Sequence, residues 1–276
     1  MQMIQDTDLS RYSSLTKSVK QEASTLLTDK IDKRQGGIPT YYDNYLMGCI
    51  ADERVEELKE FIQIQHIPRF EKYEHCHFKQ ASENEVLLFI KSQGVTRCFQ
   101  WHGTPLFKSA FDFMLYHEII CHIKPALIIE FGSGNQSSAR WLSSLCQQFR
   151  CDSKIVSIDI TNTPSIHENI IFIKQDCTLP GAIENIFNLV SKQRHPALII
   201  DDMHICTSGI LRVAEKFMEP GDYIFIEDAI QKHHTLAQHF DINHHSKLRL
   251  DNYFMNFFGS SICKKSSIIL TNPGQQ

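Results

Sequence analysis

The residues of this chain that can do chemistry are a set of acids and one histidine, each placed at the end of a short apolar run. Glu130, Asp159, Asp176, Asp201, Glu227 and Asp228 close or follow the runs ALIIE, IVSID, IIFIKQD, ALIID and YIFIED, and His204 lies three residues after Asp201. An apolar run ended by an acid reads as a buried parallel strand that delivers a carboxylate to the carboxyl edge of a sheet, where open α/β sheets bind ligands. One such acid is commonly a helix cap. A row of them makes an edge suited to hydroxyls, amines or a cation. Asp201, Glu227 and Asp228 come from neighbouring strands and are expected to crowd together. Unneutralised, they would repel one another and raise their own pKa values. A divalent cation resolves that repulsion, and all-oxygen ligands favour Mg2+ or a similar hard ion. Histidine is the side chain that ordinarily changes charge near neutral pH, and His204 is placed to serve as a general base.

A glycine turn, Gly132-Ser133-Gly134, follows the first of these strands, and Ser137-Ser138-Ala139 then opens a helix. Glycine allows positive φ and lets the backbone approach a ligand with no Cβ in the way. Asp159 follows the turn by about 25 to 30 residues, the spacing at which an acid meets a ribose hydroxyl in nucleotide-binding units. The pair fits a dinucleotide or another nucleotide-like cofactor. Against a dinucleotide, Glu130 stands immediately before the turn, where a pyrophosphate would face it, and position 137 is serine rather than the third glycine.

These residues need a scaffold, and the hydrophobic pattern supplies one. Five strands are expected over residues 127–131, 155–159, 170–174, 197–201 and 223–228, with helices over 137–149, 180–191 and 207–218 between them. Strands alternating with helices indicate a doubly wound, mostly parallel sheet. A strongly apolar helix over 110–123 precedes it, and a His-rich helix over 231–240 follows. Two β-like runs, 250–258 and 267–271, fit an antiparallel edge hairpin. Ahead of the sheet the pattern predicts helices over 15–31 and 41–64, then a hairpin of strands 86–90 and 96–100. The chain thus divides into an N-terminal helical arm with a small β element, residues 1–104, and a cofactor-binding domain, residues 105–276.

Composition restricts the function classes. The chain has 276 residues, 42% of them apolar and 22% charged, with a net charge of -4. It lacks the concentrated basic face that nucleic acid requires. No apolar run approaches the ~20 residues that span a bilayer. The opening MQMIQDTDLSRYSS is polar and carries two acids, unlike a secretory signal. Nine scattered cysteines, an odd count without a CxxC pair, indicate reduced thiols and a cytoplasmic location. An apolar helical stretch such as 41–64 suits packing on a neighbour, so a homo-oligomer is expected.

The segment FKSAFDFMLYHEIICHIKPALIIEFGSGNQSSARWL resembles the cephalosporin hydroxylase-like group of class I S-adenosylmethionine-dependent methyltransferases. There a P-x-x-K-S-P-x-D segment, a helix and an E-x-G-S-G turn run in the same order. The likeness continues through IVSID, IKQDCT, LIIDDMH and GDYIFIEDA, covering residues 105–240. It is similar also to the macrolide-sugar O-methyltransferases, which share an Asp-x-x-His on the fourth strand and a Glu-Asp on the fifth. The departures are Gln136 and Ser137, where relatives often have glycines, Ala110 in place of proline, and Asp202 as a further acid.

The resemblance implies a Rossmann-like methyltransferase sheet. It places Glu130, Gly132, Ser133, Gly134 and Ser138 around the methionine end of S-adenosylmethionine, Asp159 on the ribose hydroxyls, and Asp176 with Cys177 beside the adenine. It assigns Mg2+ to Asp201, Glu227 and Asp228, and the base to His204. The expected activity is O-methylation of a hydroxyl on a small molecule, a natural product or a sugar, with neither nucleic acid nor membrane as partner. A cationic cofactor suits an acidic edge better than a phosphate does. Two other readings stay open: a nicotinamide-dependent oxidoreductase, and a non-catalytic partner that keeps the cofactor fold.

Overall fold

The computed structural model describes residues 6–33, 39–76, 82–161, 167–258 and 267–274. The chain divides into two compact units, Met1–Pro68 and Arg69–Gln276. The smaller holds three helices, α1 (Asp6–Asp32), α2 (Tyr41–Ala51) and α3 (Val55–Gln65). Val19, Ala23 and Leu27 of α1 meet Leu46, Cys49, Leu58 and Phe61 in a core of their own. The single helix expected over 41–64 is broken, because Glu53 adopts a left-handed φ of 58° and turns the chain. The apolar spacing runs on across the break, so periodicity alone hides it.

In the larger unit, β1 (Phe70–Glu71) and a 3-10 turn at Tyr73–His75 lead to α4 (Glu83–Ser92). The expected strand 86–90 is therefore helical. Its sequence VLLFI has no period that separates strand from helix, and the deciding signal is a capping box. Ser82 Oγ accepts from Glu85 N, while the Glu85 carboxylate accepts from Ser82 N at 2.8 Å. The hairpin forms further on, between β2 (Gln100–Trp101) and β3 (Thr104–Pro105). Residues 69–104 group with the larger unit rather than with the helical arm, and β1 joins its sheet.

After α5 (Ala110–Ile123) the expected alternation appears in order: β4 (Leu127–Phe131), α6 (Ser137–Gln148), β5 (Lys154–Asp159), β6 (Ile170–Lys174), α7 (Ala182–Val190), β7 (Ala197–Asp201), α8 (Thr207–Phe217), β8 (Tyr223–Glu227) and α9 (Ala229–Ile242). Then come β9 (Arg249–Asp251), α10 (Asn252–Met255) and β10 (Ser267–Thr271). The strand expected over 250–258 stops at Asp251, whose carboxylate accepts from Tyr253 N and caps α10. The eight-stranded sheet has the order β1-β9-β10-β8-β7-β4-β5-β6. β4 to β8 are parallel, while β10, β9 and β1 add antiparallel at one edge.

Every residue of β4, β7, β8 and β10 is buried, as befits strands covered on both faces. Helices α7, α8 and α9 pack as one layer and α5, α6 and α10 as another. The chain runs outward from β4 through β5 to β6 and returns on the other side of β4 with β7. That reversal is a topological switch point, and it lies beside the glycine turn. The eight described cysteines are all free thiols, and among the described residues no helix is long and apolar enough to cross a membrane.

Helix α5 also begins at a capping box. Ser109 Oγ donates to Asp112 Oδ2 at 2.6 Å and accepts from Asp112 N at 3.1 Å, with both residues buried. The box fixes the backbone that carries Lys108. Ser109→Ala is expected to lower stability by about 1–2 kcal/mol, read as a fall in the urea midpoint with the slope unchanged. A wild-type midpoint would show that the cap is dispensable.

Candidate active site

The glycine turn closes against its neighbours through main-chain contacts. Gly132 N donates to Ile158 O at 2.8 Å, and Asp202 N donates to Phe131 O at 2.9 Å. Gly132 has φ +93°, and a Cβ there would stand 2.7 Å from the Asp202 carbonyl oxygen, so no larger residue fits. Gly134, at φ +50°, has open space around its absent Cβ. That gives a cradle of exposed backbone at the switch point. The Gly134 N–H donates to Asp159 Oδ2 at 2.9 Å, which brings the turn and the end of β5 together as expected. Asp159 Oδ1 also accepts from Thr161 N and Oγ1, so the carboxylate is already oriented.

Asp176 lies past the end of β6, where its Oδ1 accepts from Thr178 N at 2.9 Å and from Thr178 Oγ1 at 2.6 Å. Those bonds hold its pKa below the usual carboxylate value. Cys177 beside it is buried, and burial pushes its thiol up to about 11, so it is a neutral wall rather than a nucleophile. Glu130 is fully buried and accepts from Ser138 Oγ. Burial raises its pKa, against the pull of Lys108 and Ser138. Its carboxylate therefore looks into the protein beneath the turn. Ser133 and Ser138 are buried at the same place.

The three acids expected to share a cation do not converge. Among the described residues no three His, Cys, Asp or Glu side chains form a group able to hold a metal ion. The reason is strand parity. Successive side chains of a strand point to opposite faces. Asp201 is in register with Ile226 of β8 and with Phe131 of β4, so Glu227 and Glu130, each one residue away, face the other side of the sheet. On its side Asp201 meets the buried Lys232 of α9, whose Nζ lies 3.3 Å from Oδ1 and donates to the Asp201 carbonyl at 2.8 Å. On the opposite side Glu227 accepts from Lys108 Nζ at 2.5 Å and from the Tyr116 hydroxyl. The same Lys108 ammonium donates to Asp202 Oδ2 at 2.7 Å. Asp228 lies beside His204, whose Nδ1 is 3.9 Å from Asp228 Oδ2, and its charge also reaches Asp202.

Lys108, Lys232 and Tyr116 are thus partners of these acids that carboxylate counting misses. Lys108 sits in the KS-x-x-D stretch, and its visible signals were its place in the P-x-x-K-S-P-x-D segment and its position between apolar residues and a helix cap. Its side chain is 2% exposed. Burial alone would depress the ammonium, but Asp202, Glu227 and Glu130 outweigh it and hold its pKa well above the ordinary value. Asp202 is raised to about 6 by burial, with Lys108 opposing and Glu130 adding. Asp112 is also raised to about 6, by burial and then by Glu227.

A doubly wound sheet with a glycine turn after its central strand, and an acid from the next strand bonded to that turn, defines the class as a Rossmann-like nucleotide-cofactor fold. The solved CmcI-N160 apo-structure shares the fold, with a TM-score of 0.55 at 20% identity over 79% of this chain and 96% of that one. The cmcI-D160 Mg-SAM structure gives 0.53 at 20% identity over 76% and 94%. At such identities the likeness establishes the fold alone. The family model described as Rhamnosyl O-methyltransferase/CmcI matches residues 93–253, more than half of the chain, and the chain belongs to that family. The rhamnosyl O-methyltransferase of Mycobacterium leprae (strain TN) is 28% identical over 149 residues, 51% of this chain and 64% of that protein. The one from Mycobacterium tuberculosis (strain ATCC 25618 / H37Rv) is 26% identical over 137 residues, 46% and 55% of the two. The chain therefore matches less than two thirds of the length of these relatives.

Glu227 gives the site a pH signature. Its pKa is pushed from 4.5 up to about 7, first by burial and next by Asp202, against Lys108 and Tyr116. From pH 4.5 to about 7 the unfolded chain releases this proton before the folded one does. The stabilising contribution is therefore complete below that window and is lost as pH rises through it. Wild-type melting temperature is expected to fall more steeply across the window than that of Glu227→Gln, and parallel melting curves would contradict the assignment.

Proposed function

We propose that the chain is an S-adenosylmethionine-dependent O-methyltransferase acting on a hydroxyl of a sugar or other natural product. The observation that carries this reading is the glycine cradle bonded to Asp159 at the switch point, in a chain of the Rhamnosyl O-methyltransferase/CmcI family. The residues present fit the cofactor: Gly132, Ser133 and Gly134 offer backbone to its methionine end, Asp159 accepts from ribose hydroxyls, and Asp176 with Cys177 flanks the adenine. Bound there, the cofactor supplies an electrophilic methyl on a sulfonium. The excess of acid at this edge favours that positive charge and disfavours a pyrophosphate.

The protein's own part is orientation and proton removal. His204 is exposed at the strand edge, with Nδ1 turned toward Asp228. With the proton on Nδ1 facing that carboxylate, Nε2 is left to accept the proton of the acceptor hydroxyl as the oxygen attacks the methyl in line. Asp228 stabilises the imidazolium that results. No step is assigned to a divalent ion, since Asp201 and Glu227 lie on opposite faces of the sheet and each already has a lysine partner. The names of the relatives make a deoxysugar hydroxyl the first acceptor class to offer.

Calorimetric titration with S-adenosylhomocysteine is expected to give saturable heat, and its absence at millimolar ligand would sink the reading. Asp159→Ala should weaken that binding about ten-fold or more, the loss of one charged hydrogen-bonding group. His204→Ala should leave the affinity near wild type and lower kcat by about a hundred-fold or more. Equal effects on binding and turnover would remove His204 from the role of base.

A further inference from the structure

Resting on the methyltransferase reading, we infer that Lys108 is the resident cation of this site and holds the place between Asp202 and Glu227 that a divalent ion would otherwise take. Its Nζ is 2.7 Å from Asp202 Oδ2 and 2.5 Å from Glu227 Oε1, with the side chain 2% exposed. Both contacts are charge-assisted hydrogen bonds from an ammonium to a carboxylate. The ammonium thus fills the gap between the two carboxylates.

Three further observations support the assignment. Lys108 is fixed from behind, because Ser109 and Asp112 lock the adjoining backbone into a buried capping box. Tyr116, one turn on from Asp112 along α5, donates its hydroxyl to the same Glu227 oxygen that Lys108 contacts. That oxygen already receives two donors, whereas Mg2+ demands near-octahedral oxygen ligands at about 2.0–2.1 Å. Finally, the third expected ligand cannot assist, since Asp201 projects from the opposite face and is neutralised by Lys232. A divalent ion would have to displace two buried lysines and turn one carboxylate across a sheet.

The consequence is an active site whose acids are neutralised from within the chain, leaving His204 and Asp228 free at the edge for proton transfer. Methyl transfer then proceeds without added metal.

The test is calorimetry on the full chain dialysed against EDTA, with S-adenosylhomocysteine and then MgCl2 as titrants. The expected result is saturable heat for the first and none for Mg2+ up to about 10 mM, with a melting temperature that neither EDTA nor Mg2+ moves. Saturable Mg2+ binding by the wild-type chain at sub-millimolar concentration overturns the inference. Lys108→Ala exposes the vacated carboxylates, and Mg2+ is expected to raise its melting temperature by about 2 °C or more, while Lys108→Arg behaves as wild type. A folded Lys108→Ala chain that keeps wild-type stability and ignores Mg2+ also overturns it. If that variant does not fold, the wild-type titration decides alone. The two heats are read separately: a missing S-adenosylhomocysteine heat defeats the functional reading, and the Mg2+ heat alone judges Lys108.

Discussion

Lys108 carries an ammonium into the protein interior, and that burial is tolerable only because Asp202 and Glu227 meet it. Removing one partner of a buried ion pair costs about 3–5 kcal/mol, since the charge left behind has no water to turn to. The contact therefore ties together three parts of the chain distant in sequence: the segment before α5, the loop after β7 and the end of β8. The glycine turn leans on the same loop, because Gly132 lies against the Asp202 carbonyl with no room for a Cβ. Moving Lys108 would loosen the loop that supports the glycine turn. The glycine turn and the buried charge are one mechanical unit.

Strand parity then sorts the chemistry. Glu130 and Glu227 project to the face covered by α5 and α6, where Ser138, Tyr116 and Lys108 receive them. Asp201 projects to the other face and meets Lys232 of α9. Asp159, Asp176, Asp202 and Asp228 lie at or past the last residue of their strands and are partly open to solvent. A row of acids that looks uniform along the sequence thus becomes two buried structural groups and a small exposed set able to touch ligands. Alternation within a strand does this without any change of residue type.

The parallel core was legible in the sequence because each of its strands is a short apolar run closed by an acid, with helices of clear period between. The misread elements share one cause. VLLFI in α4, the break at Glu53 and the run after Asp251 all lie where apolar spacing is silent or continuous, and a cap or a left-handed residue decides the outcome. In the site, the glycine turn and the nearness of Asp159 to it followed from spacing, while the bond that joins them is a finding of the structure. The lysine partners did not. Repulsion among acids correctly demanded a positive charge, but it does not say whether the charge comes from an ion or from the chain. Lys108 precedes the first strand of the core by some twenty residues and Lys232 follows the last, so no spacing rule links them to the acids they neutralise.

The backbone at the carboxyl edge shows what such an arrangement costs. Helices α6, α8 and α9 each start from a non-glycine residue in the left-handed region: Gln136 at φ 67°, Cys206 at 66° and Asp228 at 49°. Backbone of this kind costs of order 1–3 kcal/mol per residue and persists only where the surroundings over-determine it. Here the surroundings are the fully buried strands β4, β7 and β8, whose packing and ladder bonds fix where each turn begins. Short strained turns keep the helix starts close to the strand ends. At the last of them, the left-handed Asp228 holds its carboxylate out of the sheet and within 3.9 Å of the His204 ring. Strain at Asp228 and reach toward His204 are the same conformational fact, and glycine, with no side chain to present, would relieve the first only by abolishing the second.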